Sequence, residues 1–144
     1  MKTEDSSDRP DPVDFDLAAE IVRYAHDKKA ADVVELDLRG IVDYTDRFVI
    51  ATGRTDRQVK AIADGIVVGL KKEHGVNPRR VEGLPEASWV LVDCWDVIVH
   101  IFQPDTRDTY RIEKLWGDAP KTEHADAPVE DTAAAFIDRP DDAL

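Results

Sequence analysis

The segment WVLVDCWDVIVHIF, residues 89–102, decides the fold. It contains two apolar runs, WVLVD and DVIVHIF, which only Cys94 and Trp95 separate. Two strands joined by so short a connection pair as an antiparallel hairpin. Two-residue hairpin turns favour Gly or Asn because they need a positive φ, and Trp95 is a poor residue for that conformation. We therefore expect a bulge or a longer turn between the strands.

The residues before the hairpin alternate between helix and strand patterns. Residues 17–27 repeat apolar side chains at helical spacing, and Asp16 stands where it would cap the first turn. Residues 32–38 (DVVELDL) and 47–53 (RFVIATG) are rich in apolar and β-branched side chains, which predicts two strands. The first part of the chain is thus a helix followed by two strands.

A second amphipathic helix is predicted over residues 57–74. Thr55 and Gln58 have the spacing of a capping box at its start, and Gly75 is a suitable stop at its end. The helix contains two glycines, each of which weakens a helix by about 1 kcal/mol relative to Ala. Close packing of the helix on a sheet would explain these glycines, Gly65 and Gly69.

The remaining segments complete the domain. A short strand is expected at residues 79–83, and residues 106–118 (TRDTYRIEKLWGD) have the pattern of a final helix. Together with the hairpin, these elements predict one domain over residues 17–119. Its class is α+β, an α/β sandwich in which helices cover a mixed sheet of about five strands.

The acidic charge of the chain is concentrated at its ends. The formal net charge is −12, of which residues 1–16 contribute −4 and residues 119–144 contribute −5. Both ends are polar and rich in Asp and Pro, so we expect disordered acidic tails at residues 1–16 and 120–144. An acidic protein is a poor candidate for gripping phosphate backbones, whereas a basic protein partner remains possible.

Composition limits the class of protein further. A single cysteine, Cys94, excludes a disulfide framework and a multi-cysteine zinc site. No stretch approaches the roughly 18 apolar residues of a membrane helix, and the N-terminus lacks the apolar core of a signal peptide. We therefore expect a soluble, cytoplasmic protein with no membrane contact.

The hairpin contains two residues with potential chemistry, His100 and Cys94. Strand alternation places His100 on the face of Ile98 and Phe102, which indicates a half-buried histidine hydrogen-bonded to a neighbour. Cys94 lies among aspartates and lacks the positive groups that lower a thiol pKa. No serine or cysteine stands in a recognisable nucleophile motif, so a hydrolase is disfavoured.

Two carboxylate pairs leave a metal-dependent alternative open. Glu35 and Asp37 are two residues apart on a strand and project to one face, as Mg²⁺ ligands in phosphoryl transfer do. Asp93 and Asp96 flank the hairpin turn and can approach each other. Carboxylates at strand ends and in turns are more often solvated or capping groups, so we expect neither a metal nor a cofactor.

Large aromatic residues are the more suggestive feature. Tryptophan and tyrosine anchor many protein–protein interfaces. Trp95 is hard to bury because it lies in a turn, which favours an exposed or partner-facing role. Four such residues lie in the last third of the domain: Trp89, Trp95, Tyr110 and Trp116.

These motifs together resemble a known family. The segments DRFVIATGRTDRQVKAIAD, VEG, WVLVDCWDVIVHIF and RDTYRIEKLW are similar, in order and spacing, to the ribosomal silencing factor family, also called RsfS or Iojap. The resemblance covers residues 17 to about 119. The chain departs from the family at one turn, where the common Asp-x-Gly-Asp is replaced by Asp93-Cys94-Trp95-Asp96.

The resemblance implies a binding protein and not an enzyme. Members of this family bind the large ribosomal subunit through its ribosomal protein fourteen, on the surface that faces the small subunit. They thereby block subunit joining and repress translation under nutrient limitation. Their fold is similar to that of nucleotidyltransferases, and they often form homodimers. Direct nucleic-acid readout is not implied.

The resemblance also implies roles for individual residues. Trp89 would be the aromatic anchor, Tyr110 and Trp116 would add contact area, and Glu113 or Asp96 would meet basic groups of the ribosomal protein. Three further residues would form a supporting polar network: Asp93, His100 and Arg107.

Two alternatives to this function remain open. One is a Mg²⁺-dependent, nucleotidyltransferase-like enzyme that uses Glu35 and Asp37. Against it, the strand RRVEG supplies a single acid, Glu82, where that fold needs an acid-x-acid pair. The other alternative is a scaffold that only forms homodimers.

Overall fold

The computed structural model describes residues 14–126. Along the chain, the elements are α1 (Leu17–Asp27), β1 (Ala31–Asp37), β2 (Arg47–Thr52), α2 (Asp56–His74), β3 (Arg80–Glu82), β4 (Trp89–Asp93), β5 (Val97–Phe102), α3 (Pro104–Tyr110), α4 (Ile112–Leu115) and β6 (Lys121–His124). Within this range, no helix has the length and apolar character needed to cross a bilayer.

The strands form one mixed sheet in the order β3-β4-β5-β2-β1-β6. β2 and β5 are parallel, and the other neighbouring strands are antiparallel. The parallel pair brings Thr52 and Phe102, and therefore the starts of α2 and α3, to the same edge of the sheet. The predicted α+β class is confirmed, with six strands in the sheet.

Apolar side chains pack on both faces of the sheet. On one face, α1 and α2 cover a core that includes Val49, Val99 and Ile101. On the other face, Phe48, Ile50 and Phe102 pack with residues of α4 and its flanks. β5 is buried along its whole length because it lies inside the sheet between these two cores.

The helix ends follow the predicted capping signals. The Asp16 carboxylate accepts a hydrogen bond from the Ala19 N–H at 3.1 Å, and the Thr55 hydroxyl accepts one from the Gln58 N–H at 3.1 Å. Gly75 ends α2 with a left-handed φ of 68°. These interactions satisfy backbone groups that a helix cannot pair within itself.

The two glycines of α2 pack against α1, and the expected contact with the sheet is wrong. A Cβ atom added at Gly69 would lie 2.6 Å from ring carbons of Tyr24. A Cβ atom added at Gly65 would lie 3.1 Å from carbons of the Lys28 side chain. The glycines therefore allow the two helices to approach each other.

The hairpin turn is tighter than expected. The β4–β5 register runs without a shift to Asp93 opposite Ile98, and the Cys94 N–H donates to the Val97 carbonyl at 2.9 Å. The expected bulge or longer turn is therefore wrong. Trp95 takes a φ of 71°, the left-handed conformation that glycine adopts most easily.

The last predicted helix is two short helices, because Arg111 takes a left-handed φ of 46° between α3 and α4. The domain also extends past residue 119. β6 pairs with β1, with His124 opposite Val33, so residues 121–124 are an edge strand and not part of a disordered tail. Residues 1–13 and 127–144 lie outside the described residues, and the prediction of disorder there remains a prediction.

Candidate protein-binding site

Six aromatic rings form a continuous row across the sheet face opposite α1 and α2, and we call it the aromatic row. It consists of Trp116, Phe48, His100, Trp89, Phe102 and Tyr110. The centroid distances are 5.0 Å for Trp116–Phe48, 4.5 Å for Phe48–His100, 6.0 Å for His100–Trp89, 4.8 Å for Trp89–Phe102 and 4.9 Å for Trp89–Tyr110. The row therefore brings together the three aromatic residues that the resemblance assigned to partner contact, whereas Trp95, also expected to be exposed or partner-facing, lies outside it.

The row follows from strand alternation and register. His100 and Phe102 are two residues apart on β5, so their side chains share a face. Trp89 on β4 is paired with Phe102 and is therefore the diagonal neighbour of His100. Phe48 joins from β2, one strand further along the sheet. Phe48 was not predicted as a site residue, although the continuous apolar run of β2 indicates a strand that is buried on both faces.

The two ends of the aromatic row reach the surface. Tyr110 is 55% exposed at one end, and Trp89 and Trp116 are partly exposed. Beside Trp116, Leu115 is 70% exposed and Ile41 is 46% exposed, and both line a shallow cavity of about 460 Å³. Large apolar side chains that cluster at the surface in this way are typical of a protein-binding site.

His100 lies in the middle of the row and is only 6% exposed. Its Nδ1 accepts a hydrogen bond from the Trp89 indole N–H at 3.1 Å. Burial lowers the His100 pKa to about 4, so the ring is neutral at neutral pH. The predicted hydrogen-bonded histidine is confirmed, and it is more deeply buried than expected.

Arg107 and Glu113 form an ion pair beneath the break between α3 and α4. The Arg107 guanidinium donates to Glu113 Oε2 at 2.9 and 3.2 Å, and also to the Thr52 hydroxyl and the Asp32 carbonyl. The other Glu113 carboxylate oxygen is buried without a partner. The Glu113 carboxylate is thus directed toward Arg107, and its expected contact with a basic partner group remains a prediction.

Asp93 and Asp96 lie at the other end of the hairpin from Trp89. β5 separates the two ends by about 17 Å, which is five rises of about 3.3 Å from Val97 to Phe102. Asp93 accepts from the Trp95 N–H at 3.0 Å and is 3.6 Å from the Arg80 guanidinium. The Asp96 carbonyl accepts from the main-chain N–H groups of Asp46 and Arg47. Trp95 also lies at this end, with the Arg79 guanidinium 4.8 Å from its ring centroid.

The predicted polar network of Asp93, His100 and Arg107 is therefore wrong. Asp93 stabilises the hairpin turn, His100 binds Trp89, and Arg107 binds Glu113 and Thr52. These are three separate local interactions, and only the last two are near the aromatic row.

The two β1 carboxylates considered for Mg²⁺ are engaged by arginine and histidine side chains. Glu35 lies 3.2 Å from Arg47 and 3.1 Å from His124. Asp37 accepts two hydrogen bonds from the Arg39 guanidinium, at 2.6 and 2.9 Å, and these bonds lower the Asp37 pKa. The arrangement does not favour a shared metal site on β1.

Within residues 14–126, one group of acidic and histidine side chains converges closely enough to hold a metal ion: Glu20, Glu73 and His74. Arg23 already bridges the two carboxylates, at 2.8 Å from Glu20 and 2.6 Å from Glu73. Hydrogen bonds from Arg23 and then His74 lower the Glu20 pKa to about 2. We interpret the group as an ion-pair network that joins α1 to α2.

Cys94 is a buried side chain at the hairpin turn. Burial, with a smaller contribution from the charge of Asp93, raises the pKa of its thiol to about 12. A thiol with so high a pKa is a poor nucleophile at neutral pH, as its sequence context predicted.

The fold and the site define an α+β domain with an aromatic row whose two ends reach the surface. The chain belongs to the ribosomal silencing factor family, since the family model described as "Ribosomal silencing factor during starvation" matches residues 11–143. The resemblance found in the sequence is confirmed. The match extends beyond residues 17–119 into both charged ends.

Individual relatives agree with this assignment. The chain is 49% identical over 94 residues to the ribosomal silencing factor RsfS of Bacillus subtilis, covering 65% of this chain and 79% of that one. It is 45% identical over 102 residues to RsfS of Halalkalibacterium halodurans, covering 71% of this chain and 86% of the relative. A crystal structure of a Chromobacterium violaceum protein is similar with a TM-score of 0.68 and 38% identity, covering 78% of this chain and 87% of that one.

Proposed function

We propose that this protein is a non-enzymatic translation repressor that binds the large ribosomal subunit through ribosomal protein fourteen. While bound, it prevents the small subunit from joining, and it does so under nutrient limitation. Its place of action is the cytoplasm. The observation that carries the proposal is the aromatic row, with its two ends at the surface, on a chain of the ribosomal silencing factor family.

The mechanism is steric exclusion. A folded domain of about 100 residues has a radius of gyration of about 13 Å. A body of that size on the intersubunit surface overlaps the volume that the small subunit must occupy. No covalent step, cofactor or direct nucleic-acid readout is required.

The contact with ribosomal protein fourteen centres on Trp89 and Tyr110. Both rings are already packed on each other, at 4.9 Å between centroids, so little side-chain freedom is lost on binding. Trp116 and Leu115 extend the apolar contact at the other end of the row. Asp96 is remote from this surface, and it would contribute only if the partner also reached the hairpin turn.

The same exposed apolar surface accounts for the homodimer that we expect when the protein is free. Apolar side chains such as Tyr110 and Leu115 are stabilised when a second surface covers them. A homodimer of this kind would compete with ribosome binding for the same residues.

Cosedimentation with isolated large subunits tests the proposal. We expect the protein to pellet with large subunits at micromolar concentration and Trp89→Ala to bind about 30-fold more weakly, corresponding to about 2 kcal/mol for an aromatic anchor. Trp95→Ala is the matched control, because it removes an indole from the same hairpin but outside the aromatic row. The proposal is contradicted if the wild-type protein does not bind large subunits, or if Trp89→Ala and Trp95→Ala lose affinity equally.

A further inference from the structure

We propose that His100 is a positioning residue for partner binding, which holds the Trp89 indole through its N–H so that Trp89 meets the partner with carbon atoms only. The proposal rests on the function proposed above. It adds a residue that cannot itself touch the partner, and it specifies the chemistry that the partner presents to Trp89.

Trp89 is held by three neighbours. Phe102 and Tyr110 pack against the indole at centroid distances of 4.8 and 4.9 Å. These tilted ring contacts are not directional, whereas a hydrogen bond fixes the direction of the indole N–H. The bond from Trp89 Nε1 to His100 Nδ1, at 3.1 Å, supplies that restraint.

The hydrogen bond uses the only polar group of the indole. Tryptophan has a single N–H donor and no acceptor. Because that donor points inward to His100, a partner cannot accept a hydrogen bond from Trp89. The complementary surface opposite Trp89 is therefore aliphatic, and a carbonyl or carboxylate oxygen placed there would remain unpaired.

If His100 served only to fill the core, an imidazole would be an unfavourable side chain at this position. Since Nδ1 accepts from Trp89, the ring proton lies on Nε2, and Nε2 is buried without a hydrogen-bond partner among the described residues. Its neighbours on this face, Ile98 and Phe102, are apolar. A leucine would fill such a position without leaving a donor unpaired. The benefit of an imidazole at this position is the acceptor that it offers to Trp89.

The first measurement is a double-mutant cycle on affinity for isolated large subunits. We expect His100→Leu to bind about 3- to 10-fold more weakly, which is the effect of releasing one ordered side chain. In a Trp89→Phe background, which has no indole N–H, His100→Leu should have no further effect. His100→Asn keeps an acceptor near the position of Nδ1 and should bind more tightly than His100→Leu.

Ile98→Ala is the control for destabilisation. It removes a buried side chain from the same strand and the same face without altering the Trp89–His100 bond. It should lower the free energy of unfolding and leave the affinity unchanged. The proposal is overturned if His100→Leu binds as tightly as the wild type, or if it weakens binding equally in the Trp89→Phe background.

A second measurement does not depend on the ribosome. Hydrogen exchange of the Trp89 indole N–H, followed by NMR, should be slow in the wild type and at least tenfold faster in His100→Leu. Equal exchange rates would overturn the proposal even if large subunits bind normally. If wild-type protein fails to bind large subunits while His100→Leu accelerates exchange, the proposed function fails and the restraint on Trp89 stands.

Discussion

His100 illustrates how burial determines the chemistry of a single residue. An exposed imidazole titrates near pH 6.5, whereas burial among Phe48, Trp89 and Phe102 lowers the His100 pKa to about 4. The unfolded chain therefore binds a proton more readily than the folded protein does. Stability must increase with pH between about pH 4 and pH 6.5, and it is lost as the pH falls through that window.

This linkage gives a prediction for the pH dependence of stability. Between pH 7 and pH 4, the free energy of unfolding should fall by about 3 kcal/mol more in the wild type than in His100→Leu, which lacks the titrating group. Urea denaturation at both pH values measures the difference, and the contributions of the carboxylates cancel in the comparison. Parallel pH profiles would contradict the assignment of His100 as a buried neutral histidine.

At Trp95, the residue type alone did not predict the conformation of the turn. The sequence indicates correctly that tryptophan does not suit a tight turn, and the turn is nevertheless tight, with Trp95 at a φ of 71°. The strain is offset by interactions that only the folded chain brings together. Asp93 accepts from the Trp95 N–H, and Arg79, which precedes β3, packs over the indole ring.

At the scale of elements, the contact between α1 and α2 gives opposite predictions for two glycines. Gly69→Ala should lower the free energy of unfolding by about 1–3 kcal/mol, because the new methyl group would overlap the buried Tyr24 ring at 2.6 Å. Gly65→Ala should raise it by up to about 1 kcal/mol, because Ala favours the helix and the nearby Lys28 side chain can move. Thermal or urea denaturation of both variants measures these effects.

Each glycine variant is the control for the other, since both replace the same residue type in the same helix. If both variants raise the free energy of unfolding equally, Tyr24 does not pack against Gly69. If both variants lower the free energy of unfolding equally, the Lys28 side chain is fixed over Gly65.

The elements were predictable where their signals are local. Asp16, Thr55 and Gly75 mark helix ends through interactions within a few residues, and all three behave as the sequence indicates. β6 was missed because Lys121–His124 has no apolar alternation, and its strand conformation depends on backbone pairing with β1. The break at Arg111 was missed because no glycine or proline marks it.

The candidate site was predictable only in part, because some of its contacts join residues that are distant in the sequence. Trp89, Tyr110 and Trp116 were assigned together by resemblance, and all three lie in the aromatic row on one sheet face. Glu113 could not be placed from the sequence, because its orientation depends on Arg107 and the α3–α4 break. The separation of Asp96 from the aromatic row depends on the length of the hairpin, and its contact with a partner remains a prediction.

At the scale of the whole molecule, helices cover the two faces of the sheet to different extents. The face beneath α1 and α2 contains the larger apolar core, and an ion-pair network of Glu20, Arg23, Glu73 and His74 joins those helices. The opposite face has only short helices above it and exposes the ends of the aromatic row. The proposed partner surface therefore lies on the face that the short helices leave partly uncovered.

Subunit joining is the most direct test of the central claim, that the protein acts by occupying an intersubunit surface. Isolated large and small subunits are mixed with increasing amounts of protein, and the products are separated on a sucrose gradient. We expect whole ribosomes to decrease as free large subunits with bound protein increase, with Trp95→Ala as effective as the wild type and Trp89→Ala ineffective. If the protein binds large subunits and whole ribosomes still assemble in undiminished amount, steric exclusion is contradicted.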